Sequence, residues 1–228
     1  IHHKEEKFTM KLKKIASLAL AGIMAVSMLA GCATTNDNGD DGNNGKPPVI
    51  DETPTSYSQT ILDGVGSGVK SMMTAKDSDM LTDAVVAAGT FVNESDDIHD
   101  LIKYAERKLN QMSYKRYGYQ GVVRAIVDGF GDNLAEDVNL YDDTAFDVPT
   151  NTNDRYAALY VCDTSMNETQ LNNAISAAVE EAMKGNRDHI NATDIDYTLS
   201  VAKAQVGTAA NGITLVGIMV EVDRTDAA

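Results

Sequence analysis

"RYAALYVCDTSMNETQLNNAISAAVEEA" (Arg155–Ala182) changes character halfway along its length. Arg155–Val161 carries apolar residues on both alternating faces. That pattern predicts a central strand covered on both sides. Ser165 and Glu168 then stand at capping-box spacing. Beyond them Leu171, Ala174, Ile175, Ala178 and Ala182 recur at helical intervals, which predicts an amphipathic helix. Two further apolar stretches follow, Asp196–Val206 and Ile213–Val222, and both read as strands. "GTAANG" (Gly207–Gly212) between them has hairpin-loop composition. The order strand, helix, strand, strand predicts an α+β fold. Helices would pack on a small, largely antiparallel sheet with a C-terminal β-α-β-β unit.

Upstream the signals vary in strength. "TILDGVGSGVKSMM" (Thr60–Met73) has helical apolar spacing, weakened by Gly64, Gly66 and Gly68. "MLTDAVVAAGTFV" (Met80–Val92) is compatible with a buried helix or a strand. A clearer pattern runs from Ser95. Asp96, Asp97 and Asp100 suit a helix N-terminus, and Ile98, Leu101, Ile102, Ala105, Leu109 and Met112 make one apolar stripe. Gln120–Val127 reads as helical or mixed, and Asp142–Asp154 as a loop.

The N-terminal part has a different logic. Lys11, Lys13 and Lys14 precede a run from Ile15 to Ala30 that is almost wholly apolar or small. A spanning helix needs about 20 such residues, and this run is shorter. A basic start, a short apolar run and small residues at its end predict a secretory signal, residues 10–31. Met10 then reads as the start, and residues 1–9 as a start-site artefact. The signal ends in Leu29-Ala30-Gly31-Cys32.

That tetrapeptide resembles the lipobox of bacterial lipoproteins. The resemblance implies that Cys32 receives a diacylglyceryl group on sulfur and that cleavage occurs just before it. The protein would then be extracytoplasmic and held to the bacterial membrane by lipid. Two or more acyl chains give stable residence where one does not. Behind Cys32, residues 33–55 are Asn, Asp, Gly, Thr and Pro with little apolar content, a tether composition. "DNGDDGNNG" (Asp37–Gly45) fails as a calcium loop. Counted from Asp37, the third position is Gly39 and the twelfth is Pro48. The globular domain is expected over residues 56–223, with a tail at 224–228.

Charge narrows the partners. A formal net charge of −15 argues against nucleic acid and against electrostatic docking on anionic lipid. The absence of Trp, with aromatics at 6%, argues against a carbohydrate-stacking platform. No P-loop, Gly-x-Ser-x-Gly elbow or His-Glu-x-x-His occurs in the sequence, and no cofactor or metal is expected. Cys162 reads as a packed strand residue, since Cys32 is committed to lipid. His99 reads as a solvated helix residue. His189 could join Asp188 or Asp194. Paired carboxylates such as Asp142–Asp143 and Glu180–Glu181 read as solvated faces.

A second resemblance is confined to short motifs. Gly131-Asp132-Asn133-Leu134-Ala135 and His189, flanked by Arg187 and Asn191, are similar to two motifs of secreted CAP domains. There a Glu and two His line a cavity. Here Asp132 would stand for the Glu, and "YKRYGYQG" (Tyr114–Gly121) supplies no first His. The functional expectation is therefore a lipid-anchored domain that binds an envelope component or partner. The alternatives are a degenerate CAP-like domain or envelope hydrolase using His189 and Asp132, and an assembly factor pairing through a sheet edge.

Overall fold

The computed structural model describes residues 56–92, 101, 108–117, 121–150, 153–189, 194–207 and 212–224. They belong to one unit, Thr55–Ala228. Its frame is a hairpin of two twelve-residue strands, β5 (Ile195–Val206) and β6 (Ile213–Arg224), antiparallel from Ile195↔Arg224 to Val206↔Ile213. Strand β4 (Arg155–Asp163) lies antiparallel on the other side of β6, from Arg155↔Glu221 to Asp163↔Ile213. β4 and β5 are thus parallel to each other, with the later strand β6 between them.

Short strands finish the two edges. β1 (Met73–Ala75) pairs parallel with β5 at Tyr197–Leu199. β2 (Asn110–Gln111) and β3 (Val138–Leu140) share the outer edge of β4, β2 antiparallel and β3 parallel. The sheet is mixed, but its long ladders are antiparallel, and helices pack against it as an α+β fold requires.

Side-chain alternation gives the sheet two apolar faces. On the first face lie Tyr156, Ala158, Tyr160 and Cys162 of β4 with Val216, Ile218, Val220 and Val222 of β6. Helices α1 (Tyr57–Gly64) and α6 (Glu168–Ala182) cover it through Ile61, Leu62, Leu171, Ile175 and Val179. On the second face lie Ala157, Leu159, Val161, Ile213, Leu215 and Met219. Helices α3 (Asp79–Gly89) and α5 (Val122–Gly131) cover that side through Leu81, Val85, Ile126 and Phe130. Short helices α2 (Ser67–Lys70) and α4 (Tyr114–Tyr117) lie between these elements in the chain.

The β4-α6-β5-β6 order matches the reading of Arg155–Val222. The start of α6 is a correction. The capping box is Asn167 with Gln170, two residues after the expected Ser165–Glu168 pair. Ser165 is held in the preceding turn, where both its N–H and its hydroxyl donate to Asp163 Oδ1. The buried stripe includes Ser176 and Val179, while Ala174 and Ala178, expected inside, are half-exposed. Met80–Val92 is helix up to Gly89, and Ser78 caps it, accepting from Leu81 N–H.

The helix expected through Met112 ends earlier. Leu101 is helical and buried, but Asn110–Gln111 is strand β2 and Met112 N–H donates to Leu159 O. Residues 93–100 and 102–107 of that stretch lie outside the described residues. Among the described residues no helix is long and apolar enough to cross a membrane.

The entry of the chain into the domain is fixed at α1. Ser56 Oγ accepts from Gln59 N–H, and the Asp77 carboxylate accepts from the N–H groups of Tyr57 and Ser58. Three of the four donors left open by a helix start are thereby satisfied. Ser58 then spends its own hydroxyl on the β5 edge, accepting from Val201 N–H at 2.9 Å. Asp77→Ala is expected to cost about 1 kcal/mol. Amide exchange should show the loss first at Tyr57 and Ser58; unchanged protection there would refute the assignment.

Strand β5 runs on to Val206, past the three residues that pair with β1. Lys203 reaches over the Tyr57 ring, 4.4 Å from its centroid, and pairs with Glu168 at 3.1 Å. A lysine on an edge strand is a recognised guard against strand addition.

Candidate functional site

The residues singled out by sequence do not converge. Cys32 and His99 lie outside the described residues. Asp132 is the exposed C-cap of α5, which packs on the second face of the sheet. His189 ends the 3-10 turn Lys184–His189, which follows α6 on the first face; its side chain is outside the described set. The two elements therefore stand on opposite faces of the sheet. Asp194, the other carboxylate considered for His189, pairs with Arg224 at 3.7 Å.

Neighbours of both residues are occupied by structure. Asn133 Nδ2 donates to Gly129 O and closes the last turn of α5. In the 3-10 turn, Asn186 is fully buried. Its Nδ2 donates to Val148 O at 2.7 Å, and its Oδ1 accepts from Tyr197 Oη–H at 3.3 Å. This amide pins the loop after β3 to the turn and to β5. Sequence reading passed over it because Asn in a polar run carries no periodic signal.

The glycine-rich "GVGSG" is a helix crossing. A Cβ at Gly64 would sit 2.7 Å from Ser176 Oγ, so α1 can end this close to α6 only with glycine there. Ser176 Oγ–H donates to Ile61 O at 2.8 Å, and the Glu180 carboxylate accepts from Gly66 N–H at 2.6 Å. Both glycine neighbours are thus committed to holding α1 and α2 against α6.

Cys162 is buried at the end of β4. Burial, reinforced by the nearby Asp163, pushes its thiol up to about 11, against a smaller opposing effect of hydrogen bonding to Thr214. A thiol so placed is almost wholly protonated at neutral pH, the opposite of an activated nucleophile. Native protein is expected to resist iodoacetamide at Cys162 at pH 7.5, with full labelling in denaturant. Rapid alkylation of the folded domain would contradict this.

Carboxylates cluster at one rim. Tyr114 Oη–H donates to Asp128, which also pairs with Arg124 at 3.2 Å. Burial holds the Asp142 carboxyl above the usual range, with Asp143 and Asp128 adding repulsion. Burial and the bond to Asp128 raise Tyr114 as well. Among the described residues no three His, Cys, Asp or Glu side chains gather closely enough to hold a metal.

Beside this rim is an open notch of about 280 Å³, lined by Gln111, Ser113, Lys115, Asp143, Thr144 and Ala145. Gln111 builds its wall. Nε2 donates to Tyr141 O and Thr144 O, and Oε1 accepts from Phe146 N–H. Tyr114 N–H, at the start of α4, donates to Asp142 O and ties α4 to the loop after β3 as well. The notch carries one cation, Lys115, and one carboxylate, Asp143, on its exposed lip.

Comparison with known proteins adds no family: no family model, curated protein or solved structure matches the chain.

Proposed function

We propose that the protein is a bacterial surface lipoprotein, anchored through Cys32, whose α+β domain binds an envelope component or protein partner. The observation that carries this reading is Leu29-Ala30-Gly31-Cys32 at the end of an apolar run that follows three lysines. The polar tract behind Cys32 serves as the spacer between lipid and domain. Binding is favoured over catalysis because side chains with chemical potential are spent on structure. Asn186 ties a loop, Glu180 holds the Gly66 N–H, and Cys162 packs at a strand end.

The test is metabolic labelling of the full chain in a bacterial host with radioactive palmitate. The wild-type protein should take up label and migrate below its precursor. Cys32→Ser should remain unlabelled and at precursor size. An unlabelled wild-type protein, or identical sizes for the two, would remove the anchor from the proposal.

A further inference from the structure

We draw no further inference here: the strongest candidate, the open notch between β2 and the loop Asp143–Ala145, carries nothing because Gln111 commits both atoms of its side-chain amide to Tyr141, Thr144 and Phe146 and nothing in the structure shows what would fill the space.

Discussion

Gly217→Ala is expected to destabilise the domain by about 1–3 kcal/mol, the range for a well-packed core forced to accept an extra carbon. Gly217 lies on β6 at the centre of the sheet, where α3 and α5 both press on the strand. A Cβ there would sit 2.6 Å from Val85 Cγ2, 3.0 Å from Leu81 Cδ1 and 3.3 Å from Phe130 Cε2. Three side chains from two helices would have to retreat at once. Urea denaturation should show the lower midpoint with an unchanged slope. Adding Val85→Ala should recover part of the loss, because the closest clash is with that methyl group. A stability within about 0.5 kcal/mol of wild type, or simple additivity of the two changes, would show that the helices are not this tightly seated.

Asn186→Ala should cost a comparable amount by a different route. It strands the Val148 carbonyl and the Tyr197 hydroxyl, both partners of a side chain that is fully buried. Leaving such groups unpaired costs about 1–3 kcal/mol each. Asn186→Asp keeps an acceptor for Tyr197 but faces a carboxylate toward the Val148 carbonyl, so it should not rescue. The loop reports the local effect. Val148 N–H donates to Ala182 O at 2.9 Å, and its exchange protection should fall with Asn186. Undiminished protection at Val148 would mean that Asn186 does not hold the loop.

The sequence carried the β-α-β-β unit clearly because its residues obey one period at a time. Arg155–Val161 is buried on both faces, and Ile213–Val222 is the same, so each reads as strand without help from elsewhere. What stayed hidden depends on partners distant in the chain. Strand β2 is only two residues long, and it exists because Asn110 and Gln111 meet Val161 and Tyr160. The apolar stripe that ends at Met112 fits a helix equally well, and only the sheet edge decides otherwise. Gly64 reads locally as a helix breaker, yet its role is set by Ser176.

The candidate site shows the same divide. Motif spacing singled out Asp132 and His189 but could not reveal that α5 and the 3-10 turn pack on opposite faces. Asn186, three residues before His189, does structural work that no spacing rule would have flagged.

The position of β6 also bears on when the domain can fold. Arg155 on β4 meets Glu221 across 66 residues of chain, and β5 reaches β4 only through the strand made after both. Until Ile213–Arg224 is present, β4 and β5 have no ladder between them and both core faces lack their middle row. Contacts of such long range form slowly and late.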